Sequence, residues 1–284
     1  MMIWLHFKAN RMNFVTTSDN TQLYVKDWGS GRPVILIHGW PLSADSWDDQ
    51  SLAIAEAGYR AISYDRRGFG RSSQPWNGYG YDTLADDLAA VIEQTGAKDV
   101  TLVGFSMGGG EVARYMSRHG GKAVAQTVLI SSILPFRLKT SDNPTGTDQA
   151  AFDATALALK EDRPKFLTGF FNKFFGVTTH PEAVSEETLQ WARGVSLQAS
   201  LRATLACAKS FSSTDFRPDL PAFKVPTRII HGTEDNIVPI EASSRLAAKG
   251  IAQSELIEYA GAPHGLFATH KNRLTHHLLD FIRR

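Results

Sequence analysis

The chain has 284 residues, 43% of them hydrophobic and 21% charged, with 30 basic and 29 acidic side chains and a formal net charge of +1. That balance leaves no polyanion-binding footprint. The single cysteine, Cys207, excludes an intrachain disulfide framework and a cysteine-built metal cluster, and no apolar run approaches the roughly 20 residues that span a bilayer. At about 150 residues per domain the length allows two domains, or one α/β core carrying an inserted subdomain.

The first residues, M-M-I-W-L-H-F-K-A-N-R, lack a basic leader, a long apolar stretch and an A-x-A cleavage site. This predicts no signal peptide and a cytoplasmic protein. Regular patterning begins near Met12, so residues 1–11 read as an upstream extension outside the fold, with Met1 and Met12 both open as the translation start. Phe14–Thr17 and Gln22–Trp28, joined by Ser18-Asp19-Asn20, read as an antiparallel pair. Pro33–Ile37 is continuously apolar, as a strand buried on both faces must be. Further strand-like runs lie at Arg60–Tyr64, Val100–Val103, Thr127–Ile130, Thr227–Ile230 and Glu255–Tyr259. Helical patterns separate most of them; Leu84, Leu88, Val91 and Ile92, for example, share one helix face. The alternation predicts a mostly parallel twisted sheet with helices on both faces.

The alternation fails between about Ile133 and Val225. This stretch has no convincing strand and is punctuated by Pro144, Pro164 and Pro181. It reads as a helical cap, residues 133–225, inserted over the carboxyl edge of a core made of 12–132 and 226–284. Open α/β sheets bind ligands at that edge. Phe166, Phe170, Phe171, Phe174 and Phe175 cluster within it, either as the cap's own core or as the lining of an apolar pocket.

The strand at Val100–Val103 runs into Gly104-Phe105-Ser106-Met107-Gly108, a G-x-S-x-G string between a strand and a helix. In that context the turn is tight, Gly104 and Gly108 leave room for crossing backbone, and Ser106 is lifted into the site as a nucleophile. The helix start adds unpaired N–H groups and partial positive charge. A serine hydroxyl needs a base. Among nine histidines, His264 in Ala262-Pro263-His264-Gly265 follows the last strand and is the candidate. His38 and His231 sit at strand ends and read as structural or supporting, His119 as a helix C-terminal residue, and His276 and His277 as helix residues without metal-ligand companions. The imidazole needs a carboxylate to orient it. Asp235, in the loop after Thr227–Ile230, is the candidate and Glu234 its neighbouring rival. His38-Gly39-Trp40-Pro41 follows the buried strand at Pro33–Ile37, where this architecture supplies one oxyanion donor. The residue after the nucleophile supplies the other, which makes Trp40 and Met107 the donors.

With these segments in place the sequence resembles the α/β-hydrolase superfamily, and within it the bacterial aryl esterases and cofactor-free haloperoxidases (perhydrolases). The resemblance rests on Lys26–Gly31 (K-D-W-G-S-G), His38–Leu42 (H-G-W-P-L), Tyr64–Ser72 (Y-D-R-R-G-F-G-R-S), Gly104–Gly110 (G-F-S-M-G-G-G), Thr214–Asp219 (T-D-F-R-P-D) and Ala262–Gly265 (A-P-H-G). It covers the chain from about Met12 and is weakest between about Ser132 and Leu197. It implies an α/β-hydrolase fold with a helical cap, Ser106, Asp235 and His264 as the triad, and Trp40 and Met107 as oxyanion donors. Trimers or larger assemblies are also implied by the resemblance alone.

The expected reaction is hydrolysis of a carboxylic ester through an acyl-enzyme, with neither metal nor organic cofactor required. The H-G-W-P string is similar to haloperoxidase-like members. Pro41 restricts the Trp40 backbone, and a shifted Trp40 carbonyl could accept a hydrogen bond from hydrogen peroxide, so that the acyl-enzyme yields a peracid that oxidises halide. Pro41, Phe105, Phe170, Phe174, Ile237 and Val238 are the expected substrate-binding residues, for a small apolar ester or acid. Asp65, Arg66, Arg67 and Arg71 read as a structural salt-bridge cluster. Haloalkane dehalogenases and epoxide hydrolases share the fold but need a carboxylate where Ser106 stands. Lactonases and carbon–carbon bond hydrolases keep a serine triad and stay open as alternatives, with a hydrolase-like ligand receptor more remote.

Overall fold

The computed structural model describes residues 13–284; the extension expected at 1–11 lies outside the described residues. One eight-stranded sheet forms from β1 (Phe14–Thr16), β2 (Gln22–Gly29), β3 (Pro33–Ile37), β4 (Arg60–Tyr64), β5 (Val100–Phe105), β6 (Val124–Ile130), β7 (Thr227–Gly232) and β8 (Ser254–Tyr259). Its order is β1-β2-β4-β3-β5-β6-β7-β8. The pairs β1·β2 and β2·β4 are antiparallel and the others are parallel. This is the mostly parallel sheet that the alternation of elements predicts, and it is the α/β-hydrolase fold that the resemblance implies. Several strands run one to three residues past their apolar cores, because backbone pairing continues where side-chain patterning stops: β5 extends through Gly104 and Phe105, and β7 through His231 and Gly232.

Every residue of β3, β5 and β7 is buried, which requires cover on both faces. On one face lie α2 (Tyr81–Gln94), α3 (Met107–Arg118) and α7 (Ser244–Gly250), with Leu84, Leu88, Val112 and Ala247 in one core cluster. On the other lie α1 (Asp48–Glu56) and α9 (Lys271–Ile282), with Ile54, Leu274 and Leu278 in a second cluster that also takes in the short α8 (Leu266–Thr269). Each fully buried aliphatic side chain contributes about 1.5–3 kcal/mol relative to exposure. These two clusters are what hold the strand ends in register.

Between β6 and β7 the chain forms α4 (Gln149–Phe174), α5 (Glu186–Leu197) and α6 (Leu201–Ser213). Among the described residues this stretch contains isolated bridges, such as Leu138 with Thr147, but no named strand. Helix α4 is kinked: Asp162 is non-helical (φ −154°, ψ 83°) and Pro164 follows it. The Lys165 N–H donates to Asp162 Oδ1 (3.0 Å), so Asp162 caps the second half while Pro164, which has no N–H to lose, occupies its first turn. After α6 the chain returns to the sheet layer, where Asp219 pairs with Arg114 of α3.

Candidate active site

The site sits where the strand order changes direction. Strands β3 and β5 are neighbours, with Ile37 paired to Gly104, yet their chains continue to opposite sides of the sheet. That topology opens a crevice at the carboxyl ends and sets the loop after β3 beside the turn after β5. Ser106 occupies that turn with φ 52° and ψ −116°. A non-glycine residue held there costs about 1–3 kcal/mol and persists only where its surroundings impose it. They do so here: a Cβ on Gly108 would stand 2.6 Å from the Ile37 carbonyl oxygen, and one on Gly104 2.7 Å from the Gly108 oxygen. The predicted turn, with its two obligatory glycines, is present.

His264 and Asp235 come from farther away. At about 4.8 Å per strand, β8 lies about 14 Å from β5. The loop after β8 crosses back over the end of β7, where a Cβ on Gly232 would stand 2.2 Å from the Ala262 carbonyl. Ser131 Oγ then donates to the His264 carbonyl (3.1 Å), and the Gly265 N–H donates to the Phe174 carbonyl at the end of α4 (2.9 Å). The imidazole is clamped between Phe105 (centroids 5.1 Å apart) and Phe174 (4.9 Å). Its Nδ1–H donates to Asp235 Oδ2 at 2.6 Å, which leaves Nε2 to accept from Ser106 Oγ at 2.9 Å. Ser106, Asp235 and His264 are 6%, 4% and 1% exposed. Glu234, the rival acid, faces His180 instead, at 3.6 Å.

Asp235 accepts four hydrogen bonds. Oδ1 takes the Ile237 and Val238 N–H groups (2.9 and 2.8 Å), and Oδ2 takes His264 and His231 Nε2 (2.6 and 3.0 Å). Burial by itself would raise this carboxyl. The charge of His264 and the hydrogen bonds from His231 and His264 outweigh it and hold the carboxyl well below the usual carboxylate range. His231 has the supporting place expected of it: Nε2–H also reaches the Val238 carbonyl (2.8 Å), so Nδ1 accepts from the Ser244 hydroxyl (2.6 Å).

Trp40 and Met107 both border the cavity beside Ser106, and neither backbone N–H has a hydrogen-bond partner among the described residues. Gly39 lets the Trp40 segment come this close, since a Cβ there would meet the Phe105 ring at 2.6 Å and Ser106 Cβ at 3.1 Å. His38 anchors the loop from below. Its Nε2 accepts the Arg66 N–H (2.9 Å) and its Nδ1 meets the Gly39 carbonyl (2.9 Å). Burial, then the Arg66 charge, pushes its pKa well below the ordinary histidine value. With both nitrogens engaged inside the protein, His38 is structural.

Within the cluster expected at Asp65, Arg66, Arg67 and Arg71 only Asp65 and Arg71 pair with each other, and Arg66 and Arg67 take carboxylates from elsewhere in the chain. Arg71 binds Asp65 (2.8 Å), Arg67 binds Asp87 (2.6 Å) and Asp19 (2.8 Å), and Arg66 binds Glu111 of α3. His119 pairs with Asp86 (2.8 Å) and His277 with the Tyr259 hydroxyl (2.7 Å).

A cavity of about 1230 Å³ opens from Ser106 and His264 toward the helices between β6 and β7. Of the expected lining, Phe170, Ile237 and Val238 border it. Pro41, Phe105 and Phe174, contrary to the expectation from sequence, do not border it. All three are buried; Phe105 and Phe174 press on the His264 ring from behind, with Phe267 completing the packing. The phenylalanine cluster therefore divides. Phe166 and Phe170 face the cavity, whereas Phe171, Phe174 and Phe175 are core. Trp40 joins the two layers: its ring meets Phe166, Phe170 and Phe211 edge-on, and its indole N–H donates to the Thr204 carbonyl (3.0 Å). Ile133, Arg137, Leu205 and Phe211 also border the cavity and were missed from sequence, where no local pattern marks them.

Residues 32–271 match the family described as alpha/beta hydrolase fold. The chain belongs to that family and is a hydrolase. The non-heme haloperoxidase of Rhodococcus erythropolis is 42% identical over 274 residues, 95% of this chain and 99% of the relative. The bifunctional esterase/perhydrolase DCH of Acinetobacter calcoaceticus is 40% identical over 277 residues, 96% of this chain and 100% of the relative. The crystal structure of bromoperoxidase from Bacillus anthracis aligns with a TM-score of 0.92 at 44% identity, covering 95% of this chain and 99% of that one. The haloperoxidase-like branch expected from the sequence is thereby borne out. Among the described residues, no helix is long and apolar enough to cross a membrane.

Proposed function

We propose that the protein is a serine-dependent carboxylic ester hydrolase with perhydrolase activity, acting through an acyl-enzyme on Ser106. The observation that carries the reading is the relay from Asp235 through His264 to Ser106, with Ser106, His264, Trp40 and Met107 lining one cavity and the Trp40 and Met107 N–H groups without a partner among the described residues. Ser106 Oγ attacks the ester carbonyl while His264 Nε2 takes its proton. The oxyanion develops between the Trp40 and Met107 N–H groups, which bind it better than the neutral carbonyl and so lower the barrier. Loss of one such donor costs about 2.7–4 kcal/mol in related chemistry. His264 returns the proton to the departing alkoxide, and the alcohol leaves. Water, deprotonated by His264, then releases the carboxylic acid and restores Ser106. Hydrogen peroxide in place of water releases a peracid, which oxidises halide in solution. Asp235 holds the tautomer that leaves Nε2 free and stabilises the imidazolium between steps. Pro41 acts only through the backbone of Trp40.

The test is hydrolysis of a short-chain aryl ester by purified protein, with and without hydrogen peroxide and a peracid readout. Ser106→Ala is expected to lower both rates by at least a thousandfold with an unchanged far-UV spectrum and Tm. A variant that keeps either activity removes Ser106 from that reaction.

A further inference from the structure

Three arginines are buried to 1% exposure, and each meets a carboxylate: Arg66 meets Glu111, Arg67 meets Asp87, and Arg228 meets Glu255 and Asp280. Arg137 departs from that rule. It is half-buried and borders the same cavity as Ser106 and His264; among the described residues no ion pair holds it, and the Asp235 charge acts on it only through space, outweighed by the effect of burial. Its Nη2 donates to the Ile237 carbonyl (3.0 Å), its Nε is buried without a hydrogen-bond partner, and its Nη1 makes no hydrogen bond among the described residues. A guanidinium is a planar fork that matches a carboxylate bidentately, and a desolvated one gains most from such a partner. The surrounding wall has the same sign: six lysine or arginine and three aspartate or glutamate side chains border the cavity.

We propose that Arg137 recognises a second anionic group, a carboxylate at the far end of the acyl chain, so that the preferred substrates are monoesters of dicarboxylic acids or the diacids themselves. This rests on the acyl-transfer reading above. The acyl half stays on Ser106 through both steps, so an anchor on that half holds the chain through acylation and deacylation alike. Arg137 is a specificity-determining residue in this assignment and takes no part in proton transfer. Its bond to the Ile237 carbonyl offers a competing, purely structural role, because the Ile237 N–H binds Asp235 Oδ1.

The experiment compares kcat/KM for the mono-4-nitrophenyl esters of glutarate, adipate and pimelate with that for their methyl-capped diesters, using Ser106→Ala as background. Arg137→Met is expected to lower the acid-to-capped ratio at least tenfold while leaving the capped esters within threefold of wild type. Arg137→Lys is expected to fall between, and added salt to erode the wild-type preference. A ratio unchanged within threefold overturns the proposal; equal loss on both ester classes assigns Arg137 the structural role and also overturns it. If Arg137→Met does not fold, competitive inhibition of the wild type decides: glutarate binding no tighter than its monomethyl ester overturns the proposal. Hydrolysis that survives in Ser106→Ala defeats the acyl-transfer reading separately. Calorimetric binding of glutarate to Ser106→Ala, with and without Arg137→Met, still reads Arg137 in that case.

Discussion

Asp235→Asn changes one atom and tests the relay at its buried end. The wild-type carboxylate accepts four hydrogen bonds, two from the Ile237 and Val238 N–H groups and two from His264 and His231. An asparagine has two placements. If its NH₂ faces the Ile237 and Val238 N–H groups, two buried donors lose their acceptor, at about 1–3 kcal/mol each. The other placement keeps both backbone bonds and turns the NH₂ toward His264 Nδ1, so it prevails. There Nδ1 must accept, the imidazole proton moves to Nε2, and Nε2 can no longer take the proton of Ser106 2.9 Å away. The wrong tautomer costs about 10⁴ in kcat, which is about 5.4 kcal/mol. Stopped-flow or steady-state hydrolysis of a short aryl ester near neutral pH gives kcat, and circular dichroism reports folding. A well-folded variant within tenfold of wild type would refute the role given to Asp235 and reopen the choice of acid.

Two further outcomes follow from the same geometry. Gly108→Ala places a Cβ 2.6 Å from the Ile37 carbonyl oxygen, and neither β3 nor the turn can give way cheaply. A loss of about 1–3 kcal/mol is expected, read by calorimetry as a Tm several degrees lower, together with reduced kcat because the Met107 N–H shifts; an unchanged Tm and kcat would show that the turn is looser than described. The pH dependence of stability has a definite sign. The Asp235 carboxyl lies below its ordinary range in the folded state, so its contribution is present above about pH 4 and is lost as pH falls. Wild-type Tm is therefore expected to drop more steeply than that of Asp235→Asn between pH 5 and 3, and parallel curves would refute the assignment.

Much of the site was legible because its parts are local. Ser106 is marked by glycines at fixed offsets, and the reason is steric: the crossing Ile37 backbone excludes a Cβ at Gly108. Trp40 and Met107 follow from their places just after β3 and β5. His264 and Asp235 were readable as polar residues in loops after late strands, although nothing local says that the β8 loop folds back over Gly232. Phe105 and Phe174 were misread as lining. Both lie near site residues in the chain, but side-chain direction is set by packing against Trp47, Phe267 and the His264 ring. Arg137 and Glu111 carried no signal, since a charged residue in a loop or on a helix is usually solvated and only the fold buries Glu111 and sets half-buried Arg137 on the cavity wall.

The sequence by itself determined the order of elements, the strained serine turn, the residue types of the relay and the family branch, because each depends on short-range sterics or on spacing along one chain. The tertiary structure decided which phenylalanines face the cavity, which carboxylate holds Arg66, and that Arg137 stands on the cavity wall with no ion-pair partner among the described residues. Those properties come from contacts among residues far apart in sequence, where burial and the competition for hydrogen-bond partners are settled only once the helices lie over the sheet.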